Sequence, residues 1–153
     1  MYQRILVPVD GSATSDRGLD EAIALAKLVG ARLRLVHVID ELSFAIAAGA
    51  SAGYMGDFVE MLRQGGAEIL AAAKAKVESA GLGVETMLRD GFGGRVCDQV
   101  VDEAGTWRAQ LIVIGTHGRR GAGRLLIGSD AERILRLAPV PVLLVRGDET
   151  AAP

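Results

Sequence analysis

The sequence predicts an α/β protein, a single doubly wound open sheet of five mainly parallel strands with helices on both faces. Three observations carry that expectation. Short apolar runs alternate along the chain with segments whose apolar residues recur at helical spacing, the pattern of β-α units joined by right-handed crossovers. A length of 153 residues suits one domain with a substantial core. The run Leu111, Ile112, Val113, Ile114 is apolar throughout, as in a strand covered on both faces, and it ends at Gly115 before a glycine-rich stretch and a helix start.

Residues 4–9, RILVPV, read as the first strand, with Pro8 near its end, where a missing ladder donor is tolerated. Asp10, Gly11 and Ser12 turn into a helix whose apolar face is Leu19, Ile23, Ala26 and Val29, with Gly30 as its stop. Residues 32–39, RLRLVHVI, form a second strand with Asp40 after it. Residues 41–58 hold three glycines and no firm pattern, and a flap over the strand ends and a loosely ordered linker are both open there. From Val59 onward, Leu62, Ile69, Ala73 and Val77 mark a long helix closed by Gly81. Gly65 and Gly66 weaken it by about 1 kcal/mol each relative to alanine.

GVETML, residues 83–88, alternates as a third strand, and Val96, Val100 and Ala104, with Cys97 and Val101 beside them, stripe a third helix. After the fourth strand, Ser129 stands at an expected N-cap before Ala131, Ile134, Leu135 and Ala138. Val140 to Val145 closes the sheet. The expected domain is residues 1–147, with 148–153 a flexible C-terminal tail.

Composition excludes several classes. Half the residues are hydrophobic, but no run approaches the 18 or more needed for a membrane-spanning helix. MYQRILVPVD has neither a long apolar core nor a small-residue cleavage site, so no secretion signal is expected, and the single cysteine, Cys97, fits a reducing cytoplasm. A net charge of −2, with three Phe, two Tyr and one Trp, argues against a nucleic-acid surface.

Candidate ligand chemistry concentrates in residues 111–129, LIVIGTHGRRGAGRLLIGS. Glycines at 115, 118, 121, 123 and 128 allow main-chain N–H groups to approach an anion closely, and the helix start that follows offers unpaired donors with a partial positive charge. No lysine occurs between Gly115 and Pro153, so the loop is not a Walker A sequence. A dinucleotide fingerprint would follow the first strand, and this loop follows a late one.

Gly115, two residues, Gly118, nine residues, then Gly128 and Ser129 reproduces a G-x2-G-x9-G-[ST] spacing. With ILVPVDGS at 5–12, LVHVID at 35–40 and APVPVLLVR at 138–146, the chain resembles the nucleotide-binding branch of the universal stress protein family over nearly its whole length. Asp130 departs from the small apolar residue common after that serine, and GFGG at 91–94 from the frequent glycine-acidic-proline turn. The resemblance implies a Rossmann-like sheet, similar to adenine nucleotide alpha hydrolases, in the order 3-2-1-4-5. That order brings Asp10 and Gly115 together at the reversal between strands one and four.

It also implies an ATP site. Gly115, Gly118, Gly128 and Ser129 would hold phosphates, with His117 and Arg119 as further loop contacts, and Val38 would offer backbone groups to adenine in a pocket lined by Pro8 and Val9. Arg120 and Arg124 read as solvated. Asp10 has two readings: an Asx-turn or cap, or a ligand contact to base, ribose or a shared magnesium ion. On its own residues His117, a lone loop histidine, reads as structural or exposed, His37 as a satisfied core residue, and Cys97 as buried. The family further implies a homodimer, and Pro139 and Pro141 before an apolar last strand suit an edge that a second copy covers.

The HxGH and SGGxDS sequences of nucleotidyl-transferring relatives are absent, and no catalytic constellation stands out. The leading expectation is an ATP-binding, dimeric regulatory or protective factor in stress response. A slow ATPase or nucleotidyl transferase and a nucleotide-independent scaffold remain as alternatives.

Overall fold

A computed structural model of the chain describes residues 1–40, 49, 55–90, 94–116 and 127–147. In order, its elements are β1 Arg4–Pro8, α1 Ala13–Val29, β2 Arg32–Val38, α2 Met55–Ser79, β3 Val84–Arg89, α3 Val96–Thr106, β4 Leu111–Gly115, α4 Ser129–Leu137 and β5 Val142–Val145. The strands form one sheet in the order β3-β2-β1-β4-β5, and every neighbouring pair is parallel. The expected fold class and strand order are those observed.

Strand alternation builds the two faces. Ile5, Val7, Leu33, Leu35, Leu111 and Val113 pack with Leu19, Ala22 and Ala26 of α1 and Leu70 and Val77 of α2. Leu6, Val36, Val38 and Ile112 point the other way, against Cys97, Val100 and Ala104 of α3 and Ile134 of α4. A central strand with both faces covered must be apolar at successive positions, which is why β1 and β4 read as continuous runs. No helix among the described residues is long and apolar enough to cross a membrane.

Local chemistry sets the limits of α1. Ser12 is its N-cap, its Oγ accepting the Ser15 N–H, and Gly30 closes it at φ 69°. Elsewhere the boundaries differ from expectation. α2 begins at Met55, four residues before the apolar pattern becomes regular. β5 begins at Val142; Pro141, which has no N–H for the ladder, contributes only its carbonyl, accepting the Ile112 N–H.

The cap of α4 is also corrected. Gly128 is the N-cap and Ser129 the first helical residue, so the serine side chain does not cap the helix. The reason is a backbone tie: Gly128 N–H donates to Thr116 O at 2.7 Å, which fixes the turn one residue earlier. Leu135, expected on the buried stripe, is 45% exposed, and the short α4 buries Ala131 and Ile134 instead. Residues 148–153, the expected tail, lie outside the described residues.

Candidate functional site

A cavity of about 460 Å³ opens at the carboxyl ends of β1, β2 and β4, where the strand order reverses. Pro8, Val9 and Asp10 reach it from β1, Val38 from β2, Gly115 from β4, and Gly128 and Ser129 from the start of α4. His117, Gly118 and Arg119, with Arg120 and Arg124, lie outside the described residues. Residues 10 and 115 meet because β1 pairs directly with β4.

Close approach between α1 and β4 shapes the floor. A β-carbon on Gly115 would stand 2.7 Å from Thr14 O, and one on Gly18 would stand 3.2 Å from Gly115 N. Neither obstacle is a movable side-chain tip, so glycine at both positions lets the first turns of α1 rest on the end of β4. Asp10 is fixed in this corner. Its Oδ1 accepts the Ser12 N–H at 2.9 Å, an Asx-turn, and its own N–H donates to Ser15 Oγ at 3.2 Å. The turn-forming reading of Asp10 is therefore realised while the residue also lines the cavity.

On the opposite wall, α4 starts with no side-chain cap. The N–H groups of Ser129, Asp130 and Ala131 precede the first i→i−4 bond, made by Glu132 N–H to Gly128 O, and so have no carbonyl within the helix. Such a start, beside a glycine-lined floor, suits an anion. Side-chain charge in the described lining is negative: Asp10, Asp40 and Asp130 are present, and no lysine or arginine is among the described lining residues. Backbone donors and the Ser129 hydroxyl, rather than cationic side chains, are the groups this part of the wall offers a phosphate, and a volume within the usual range for small-molecule pockets gives room for a nucleotide.

His37 is 8% exposed, and its Nδ1 donates to Val9 O at 2.7 Å. Since a carbonyl only accepts, the hydrogen sits on Nδ1. His37 is a satisfied interior residue, as the sequence suggested, and it also lines the cavity. Sequence reasoning missed the wall that α2 provides at Met61, Leu62, Gly65 and Gly66. The adjacent glycines were the available signal, but inside a helical pattern they read only as a weakness. Cys97 is fully buried, and burial, then the nearby Asp98 and Asp130 carboxylates, push its thiol pKa up, so it is a poor nucleophile. Among the described residues, no group of three or more His, Cys, Asp or Glu side chains could hold a metal ion.

An all-parallel open sheet, covered on both faces and hollowed at its switch point beside a bare helix start, defines a doubly wound α/β protein with its crevice where such sheets take ligands. The chain belongs to the universal stress protein family, whose pattern matches residues 1–146. It is 33% identical over 147 residues to Universal stress protein MJ0531 of Methanocaldococcus jannaschii, covering 95% of this chain and 83% of that one.

Among solved structures, hypothetical protein MJ0577 superposes with a TM-score of 0.84 at 25% identity, covering 98% of this chain and 99% of that one. A universal stress protein in complex with cAMP gives 0.67 at 24% identity, covering 96% and 98% respectively. A family protein from Arabidopsis thaliana with AMP bound gives 0.71 at 19% identity, covering 99% and 95%.

Proposed function

We propose that this protein binds an adenine nucleotide, ATP in the first instance, in the cavity between β1 and β4, and acts as a regulatory or protective factor in stress response. The observation that carries the reading is the meeting of two distant sequence blocks, Asp10 and Gly115 with Gly128 and Ser129, around one cavity beside an uncapped helix start. In this reading Gly115, Gly128 and Ser129, with Gly118, His117 and Arg119 of the loop, hold the phosphates. Val38 meets the adenine edge, Pro8 and Val9 line the base pocket, and Asp10 contacts the ribose or a magnesium ion shared with the phosphates. The AMP and cAMP bound to two proteins of the same fold support an adenine ligand.

The negative side chains of the described lining favour magnesium as a companion, because a divalent cation offsets the repulsion between carboxylate and polyphosphate. We also propose a homodimer formed at β5. This edge strand exposes Leu143 by 39%, and pairing with a second copy would cover it. A cytoplasmic location is consistent with this role.

The test is a thermal titration. ATP at 100 times its dissociation constant stabilises the folded chain by about 2.7 kcal/mol, and the same excess leaves a Gly118→Val variant unshifted while its ligand-free melting stays cooperative. Absence of any shift at millimolar ATP, with and without magnesium, overturns the reading.

A further inference from the structure

We propose that the face of α2 carrying Met61 and Gly65 is the wall against which the nucleotide base packs, a ligand surface additional to the strand-end and loop residues. This rests on the adenine-nucleotide reading of the cavity and assigns the two ends of the ligand to its two sides.

Sheet order fixes those sides. α2 packs over β2 and β3, whereas α4 contacts β5 and starts just beyond β4. β2 and β4 flank β1, so their ends stand two strand spacings apart, about 10 Å, the scale of the separation between a nucleotide's phosphates and its base. The anion-binding donors lie at the α4 end. The wall that α2 itself provides is apolar, formed by Met61, Leu62 and the backbone of Gly65, with His37 and Asp40 lining the cavity where β2 ends.

Two adjacent glycines in the middle of a 25-residue helix require an explanation, since each is poorly suited to that setting. Gly66 has one inside the protein. A β-carbon there would lie 2.8 Å from both His37 Cδ2 and Leu88 Cδ1, and the His37 ring is held by its bond to Val9 O. Glycine at 66 thus lets the helix backbone settle onto β2 and β3. Gly65 has no such neighbour: among the described residues nothing lies within 4 Å of where its β-carbon would stand, and it lines the cavity.

Packing against the described residues does not account for Gly65, whereas room for a ligand does. Met61, one turn earlier, is 57% exposed at the same wall. An exposed thioether beside bare helix backbone suits the face of a flat aromatic ring, because sulfur and aromatic rings attract and methionine adapts its shape to what it covers.

The experiment compares ATP and AMP affinities, by calorimetric titration, for the wild-type chain, Gly65→Leu and Met61→Ser. Gly65→Leu is expected to melt at or above the wild-type temperature, since leucine is the better helix former, and to lose at least about tenfold in affinity by overfilling the base wall. The loss should be the same factor for ATP and AMP, which share a base and differ in phosphates. Met61→Ser, altered at an exposed side chain, should weaken both by one common, smaller factor. Wild-type affinity in both variants overturns the inference, as does a loss confined to ATP, which would put the α2 wall against phosphate. If Gly65→Leu fails to fold, Met61→Ser decides by the same criterion. A wild-type chain that binds neither nucleotide overturns the proposed function, and this inference with it.

Discussion

Glu103, on the inner side of α3, lies between two guanidinium groups: Arg34 Nη1 donates to Oε1 at 2.7 Å and Arg89 Nη1 to Oε2 at 2.8 Å, with the glutamate side chain only 3% exposed. Arg34 also pairs with Glu85 and stacks over Trp107, 4.9 Å from the ring centroid. One buried carboxylate thereby ties α3 to β2 and β3 beside the wall that supports Val38. Removing it leaves two partly buried cations without their shared partner. Because Arg34 keeps Glu85 and Arg89 keeps Asp102, Glu103→Ala is expected to cost about 1.5–3 kcal/mol in urea denaturation followed by Trp107 emission, and a loss under about 0.5 kcal/mol would contradict that role.

Glu85 differs because its side chain is 44% exposed. Its hydrogen bond from Arg34 holds its pKa below the ordinary glutamate value. A carboxylate depressed in the folded state contributes stability above its unfolded pKa, and that contribution is lost as pH falls through the lower, folded value. The melting-temperature gap between wild type and Glu85→Gln should therefore be constant near neutrality and close progressively below about pH 4. A gap that persists or widens in acid would refute this.

Among the elements, α1 was legible to the residue at its stop because its signals are local: Ser12 before it, Gly30 after it, and an apolar face between. α4 was legible in place but not in its cap, since the Gly128–Thr116 backbone bond is tertiary and no sequence pattern announces it. α2 starts ahead of its own periodicity because Met55, Gly56 and Asp57 carry no apolar stripe, and Asp57 suits a first turn electrostatically instead.

The seat of α1 on β4 also escaped the sequence, because a glycine that ends a strand looks the same whether or not a helix rests on it. Gly115→Ala tests that seat. Its methyl would meet the Thr14 backbone, so we expect a loss of about 1–3 kcal/mol in stability together with weaker nucleotide binding. Unchanged stability would mean that the helix tolerates displacement.

At the scale of the whole molecule, the order β3-β2-β1-β4-β5 makes a site from residues far apart in the chain. The alternation of strands and helices predicted a parallel sheet, and the family's four sequence blocks supplied its order. Of the residues they selected, Pro8, Val9, Asp10, Val38, Gly115, Gly128 and Ser129 line one cavity, and His117, Gly118 and Arg119 lie outside the described residues. What stayed hidden was the far wall. Met61 and Gly65 belong to an ordinary amphipathic segment, and only the packing of α2 over β2 and β3 turns them toward the crevice.

Whether a nucleotide occupies this cavity is decided by amide chemical-shift mapping during an ATP titration. The largest shifts are predicted for Asp10, Val38, Gly115, Gly128 and Ser129, saturating together with one dissociation constant. Shifts confined to other surfaces, or none at millimolar ATP with magnesium present, would contradict it.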